Sequence, residues 1–118
     1  IKDKISARKA AKKLITLGCK NVIITLGESG AFAIIDDIDF YIKAPKVKSI
    51  DTTGAGDAFN GAFAFGLSKG LNGKDSLKLS ILVGSLSTTK KGCQPAMPTL
   101  KELIKSKLIK KNEFSKIF

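Results

Sequence analysis

The chain has 118 residues, 43% of them hydrophobic, which suits one domain with a modest core. It contains no histidine, so Ser-His and Cys-His nucleophilic chemistry is excluded and acid–base work falls to Asp, Glu, Lys, Tyr or Cys. The net charge of +11 raises nucleic-acid binding, but every basic residue except Arg8 is lysine and no aromatic residues interleave with them, so a solvated, Lys-biased surface is the better reading.

The start, Ile-Lys-Asp-Lys-Ile, is charged and has no signal-peptide stretch. It lacks an initiator Met and enters a helical pattern at once, so the chain is expected to begin mid-protein. Over residues 4–17, Ile5, Ala7, Ala10, Ala11, Leu14 and Ile15 recur at helical spacing with lysines between them, and Gly18 follows as a C-terminal cap. Cys19 reads as a small buried residue near that helix end. Neither it nor Cys93 forms a C-x-x-C pair, which suits a reduced, cytoplasmic chain. Residues 21–26, Asn-Val-Ile-Ile-Thr-Leu, are a β-branched run bounded by turn residues, expected to be a buried parallel strand. A helix followed by such a strand is half of a βαβ unit.

A turn at residues 27–30 leads to strands at 31–35 and 40–42 around the acidic turn Asp36-Asp37-Ile38-Asp39, a hairpin. Residues 45–50 read as extended. From residue 55 to 67 the pattern is helical on Ala58, Phe59, Ala62, Phe63 and Leu67, and its wide apolar surface predicts a largely buried central helix that closes at Gly70. A second helix spans residues 75–88 on Leu77, Leu79, Ile81, Leu82, Val83 and Leu86. A compact loop at 90–98 precedes an amphipathic helix at 99–108, where Thr99 and Glu102 have capping-box spacing. No run of 18 apolar residues, internal repeat or domain boundary interrupts this α/β pattern, so residues 1–118 read as one domain.

The chemistry concentrates in Gly54-Ala55-Gly56-Asp57, between an extended segment and a helix N-terminus. The first N–H groups of a helix have no intrahelical partner and carry the positive end of its dipole, so such a turn attracts phosphate. Asp57 falls in the first helical turn beside that anion site, where a carboxylate makes sense if it receives a proton from an attacking hydroxyl. The same pattern fits a plain strand–helix turn in which Asp57 satisfies the dipole. It is not a Walker loop, because no Gly-Lys-Ser/Thr follows.

Residues 51–61, Asp-Thr-Thr-Gly-Ala-Gly-Asp-Ala-Phe-Asn-Gly, resemble the second signature of the PfkB carbohydrate-kinase family. Thr25, Leu26, Gly27, Glu28, Ser29 and Gly30 resemble its nucleotide-binding turn, and Lys-Lys-Gly-Cys-Gln-Pro-Ala-Met-Pro at 90–98 resembles the C-terminal loop of its ribokinase branch. The three segments occur in the family's order and spacing, so the resemblance covers nearly the whole chain. It implies the C-terminal, nucleotide-binding and catalytic part of a ribokinase-like fold. That fold is a Rossmann-like three-layer α/β/α domain, here with a small β-hairpin and three to four helices.

The resemblance further implies an ATP-dependent sugar kinase that transfers the γ-phosphoryl to a primary hydroxyl of a pentose, D-ribose to ribose 5-phosphate. Asp57 would be the base and touch the sugar, and the N–H groups of Gly54, Ala55 and Gly56 would hold the phosphoryl in flight. ATP would lie on residues 25–30 together with Gly56, Asp57 and Ile81, where the family usually carries a polar residue. Potassium would be held, mostly through backbone carbonyls, by Asp51, Thr53, Ser87, Lys90 and Gly92. The family often adds a serine hydroxyl where this chain has Ala96. A Mg2+ site, the sugar-binding glycines and a β lid able to form a homodimer belong to parts of the family pattern absent here. The chain alone is therefore expected to be inactive. Fructokinase, adenosine kinase, and a non-catalytic nucleotide- or nucleic-acid-binding fragment are the competing readings.

Overall fold

The computed structural model describes residues 3–89. The loop expected at 90–98 and the helix at 99–108 lie outside the described residues. The chain divides into two compact units, Ile1–Ala44 and Pro45–Phe118. Among the described residues no helix is long and apolar enough to cross a membrane.

The first unit opens with α1, Lys4–Thr16. The Asp3 carboxylate caps it, accepting the Ser6 N–H at 2.7 Å, and that bond holds the carboxyl below its ordinary range. Its far end is a Schellman motif, with the Cys19 N–H bonded to the Leu14 carbonyl and the Gly18 N–H to that of Ile15. This ending leaves Cys19 exposed rather than buried as expected, because the motif turns the chain outward just beyond the last helical turn. Ala7 and Ala11 are fully buried and pack with Ile15 against Val22, Leu26, Phe32 and Ile34.

Three strands form an antiparallel meander: β1 (Val22–Thr25), β2 (Ala31–Ile35) and β3 (Ile38–Ile42), with β2 in the centre. The expectation of a parallel strand at 21–26 is corrected for this pairing. The chain returns after only residues 26–30, too short a connection for a parallel crossover, and Val22 faces Ile34 while Thr25 faces Ala31. β2 is buried along its whole length, as the short apolar run Ala-Phe-Ala-Ile-Ile predicts. The hairpin turn is tighter than expected, because Asp36 and Asp37 both take positive φ (51° and 64°). That is the two-residue type I′ geometry, which pairs Ile35 directly with Ile38 and gives Ile38 and Asp39 to the strand.

In the second unit, residues 45–49 carry no regular structure, and two helices follow: α2 (Ala55–Ser68) and α3 (Gly73–Ser87). α2 ends in a Schellman motif through Gly70 and Leu71, and the Asn72 side chain caps α3 by accepting the Asp75 N–H at 2.8 Å. The two-helix pattern is as expected, but α2 is less buried than expected. α3 buries eight residues, whereas α2 buries only Ala58, Ala62 and Gly66 and leaves Phe59, Phe63 and Phe65 half-exposed. The buried residues of α2 are small and spaced four apart, so its core face is narrow and its aromatic residues lie at the rim.

The helices run antiparallel and close together. A Cβ built on Gly66 would stand 2.8 Å from Ser76 Oγ, so only glycine permits that approach without movement. At the other end Gly84 faces the Ala55 carbonyl and Phe59. Ala58, Ala62, Leu71, Leu79 and Val83 fill the seam, with Phe65, Leu82 and Leu86 packed against it.

Candidate active site

An antiparallel helical hairpin has an electrostatic consequence: the N-terminus of one helix lies beside the C-terminus of the next. Here the first turn of α2, the positive end of its dipole, adjoins the last turn of α3, the negative end. The loop before α2 is fastened to that end of α3, because the N–H groups of Ile50 and Asp51 both donate to the Thr88 carbonyl, at 2.7 and 3.0 Å. Asp51 then folds back on the loop, its Oδ1 accepting the Thr53 N–H at 2.9 Å. Gly54, at φ 81°, turns the chain through the left-handed region into the helix, without a side-chain cap.

Asp57 and Gly56 are exposed in the first turn of α2. The Ala55 N–H already donates to the Thr52 carbonyl at 3.1 Å, and the Ala58 N–H to the Gly54 carbonyl at 2.9 Å. The N–H groups of Gly56 and Asp57 lie between these two, in the turn where a helix offers donors to an outside acceptor. A carboxylate and a set of amide donors therefore share one exposed helix end.

The last turn of α3 is satisfied largely by its own hydroxyls. Ser87 Oγ donates to the Gly84 carbonyl, Thr88 Oγ1 to that of Ser85 and Thr89 Oγ1 to that of Leu86, each at 2.7 Å. With the Thr88 carbonyl occupied by the loop, the Ser87 carbonyl is the oxygen of this turn that accepts no hydrogen bond among the described residues.

The second unit thus brings together Asp51, Thr53, Gly54, Ala55, Gly56, Asp57 and Ser87 at one end of its hairpin. Ile81 is further back along α3, 5% exposed. Lys90, Gly92 and Ala96 lie outside the described residues. Thr25, Leu26, Gly27, Glu28, Ser29 and Gly30 belong to the first unit, where a single 3₁₀ turn, Gly27–Ser29, follows β1. Gly30, at φ 106°, is demanded by packing: a Cβ there would collide with the Ile42 carbonyl. At Gly27 a Cβ would meet nothing. Two contacts escaped the sequence. Thr88 acts through its backbone carbonyl, which leaves no residue-type signal, and Tyr41, whose hydroxyl bonds the Ser29 carbonyl at 2.6 Å, reads as an ordinary strand residue.

The sequence profile of pfkB family carbohydrate kinases matches residues 1–100. The chain belongs to that family. A ribokinase of Lactococcus lactis is 42% identical over 84% of this chain and 33% of its own length. A deoxyribokinase of Salmonella typhi is 36% identical over 80% of this chain and 31% of its own. The chain therefore spans about a third of the length of these curated relatives. Among solved structures, Arabidopsis thaliana ribokinase complexed with ribose and ATP matches with a TM-score of 0.78 and 31% identity, over 87% of this chain and 34% of that one. Escherichia coli phosphofructokinase-2 in complex with potassium matches at 0.75 and 27% identity, over 87% and 33%. These matches establish the α/β fold as ribokinase-like.

Proposed function

We propose that this chain is the C-terminal, nucleotide-binding and catalytic part of an ATP-dependent sugar kinase that phosphorylates a primary hydroxyl of a pentose. The observation that carries the reading is the exposed first turn of α2, where Asp57 stands beside amide donors on a family-typical loop. Asp57 takes the proton from the attacking hydroxyl as that oxygen bonds to the γ-phosphorus. The bond from the γ-phosphorus to the bridging oxygen breaks, and ADP leaves. The first-turn N–H groups of α2 hold the oxygens of the transferring phosphoryl, with the Ala55 N–H exchanging its Thr52 carbonyl for a phosphoryl oxygen. Residues 25–30 and Ile81 carry ATP in this reading.

The donors at the end of α3 suit a monovalent cation. In this reading Asp51 and the carbonyls of Thr53 and Ser87 would hold it near the negative end of α3, where the Asp51 N–H is bonded to the Thr88 carbonyl, and Lys90 and Gly92 would complete the set. Potassium bound there would offset negative charge next to the anion site. Mg2+ would be held mainly by residues beyond this chain.

D-ribose, giving ribose 5-phosphate, is the substrate favoured by the ribokinase-type loop at 90–98. Deoxyribokinases among the relatives make 2-deoxyribose the nearest competitor. The test is a panel of D-ribose, 2-deoxyribose, fructose and adenosine with ATP and the complete protein. D-ribose should give the highest kcat/KM; a preference for fructose or adenosine would refute the pentose assignment.

A further inference from the structure

The phenol of Tyr41 donates to the Ser29 carbonyl at 2.6 Å, which ties β3 to the turn after β1 although these strands are not neighbours in the sheet. Backbone contacts secure the base of that turn: the Leu26 N–H donates to the Gly30 carbonyl at 2.8 Å, and Gly30 lies against the Ile42 carbonyl and the Ala44 N–H. Its tip has less to hold it. None of residues 27–29 is buried, and the internal bonds of the tip, Ser29 N–H to the Leu26 carbonyl and Gly30 N–H to that of Gly27, are 3.1 and 3.2 Å long. A segment with so little burial orders poorly unless something outside it supplies a restraint. Tyr41 supplies one, and its ring is steadied in turn by the Lys4 ammonium, 5.1 Å from the centroid.

We propose that Tyr41 is a positioning residue for the nucleotide. By fixing the Ser29 carbonyl it presets the turn in the conformation that ATP needs, so binding does not have to order it. The inference rests on the reading of residues 25–30 as the nucleotide turn. Tyr41 is 37% exposed, so water competes for its hydroxyl and the effect belongs near the lower end of the range for one hydrogen bond.

Two variants of the complete protein separate the possibilities: Tyr41→Phe keeps the ring and removes only the hydroxyl, and Gly27→Val strains the turn at its φ of 56°, at a position where a Cβ meets nothing within 4 Å. Calorimetric titration with ATP should show Tyr41→Phe weakening binding about threefold, with kcat at saturating ATP and D-ribose and the melting temperature close to wild type. Gly27→Val should weaken ATP binding more. If Gly27→Val weakens ATP binding and Tyr41→Phe does not, the role of Tyr41 is wrong while the nucleotide turn stands. If neither changes it, the turn itself is misassigned and Tyr41 with it. A lowered melting temperature with equal losses toward ATP and D-ribose would mark Tyr41 as a purely structural residue and overturn the proposal.

Discussion

The contact between Gly66 and Ser76 can be turned into a quantitative test of how the α2–α3 hairpin is built. Gly66→Ala alone gains up to about 1 kcal/mol from helix propensity. Against this, the new Cβ meets Ser76 Oγ at 2.8 Å and the Ser76 Cα and Cβ at 3.2 Å, and overpacking of this kind costs about 1–3 kcal/mol. A net destabilisation of about 1 kcal/mol is expected. Ser76→Ala alone removes a hydroxyl that is buried without a hydrogen-bond partner among the described residues and should stabilise by about 1 kcal/mol. In the double variant the shortest of the three contacts no longer exists, so Gly66→Ala should cost less by about 1 kcal/mol. Urea unfolding of the complete protein in all four forms measures this coupling. Additivity within about 0.5 kcal/mol, or a destabilising Ser76→Ala, would refute the packing described for the hairpin.

Two further outcomes are expected. Because the Ser6 N–H depresses the folded-state pKa of Asp3 below its ordinary 3.8, the cap stabilises fully above that value and fades as pH falls through the lower folded value. Thermal melts should therefore separate wild type from Asp3→Ala at neutral pH and bring them together in strong acid. Replacing sodium by potassium should raise the activity of the complete protein, and Asp51→Ala should abolish that stimulation; equal rates in the two salts would count against the cation site.

The periodicity of α1, α2 and α3 and the punctuation by Gly18, Gly54 and Gly70 were legible in the sequence, because each reflects a local rule. The shallow burial of α2 was not. Apolar content marks α2 as the buried helix, but Ala58, Ala62 and Gly66 make a seam so narrow that the phenylalanines are left at the rim. The antiparallel pairing of residues 22–25 with β2 was not legible, because a short apolar run does not reveal its partner. The loop before α2 could be read as a motif, and its fastening to α3 could not, since the Thr88 carbonyl and the Ser87, Thr88 and Thr89 hydroxyl bonds depend on a helix ending where the loop passes. Gly30 carries a related lesson: within the nucleotide-turn motif, its glycine is required by the passing Ile42 carbonyl, whatever the turn binds.

In the proposed reaction Asp57, exposed in the first turn of α2, accepts the proton of the attacking hydroxyl. Its most direct test is Asp57→Asn in the complete protein, with kcat and ATP affinity measured side by side. The substitution should lower kcat by about 10²-fold or more while ATP still binds with near-normal affinity. Turnover close to wild type would contradict the assignment of Asp57 as the base.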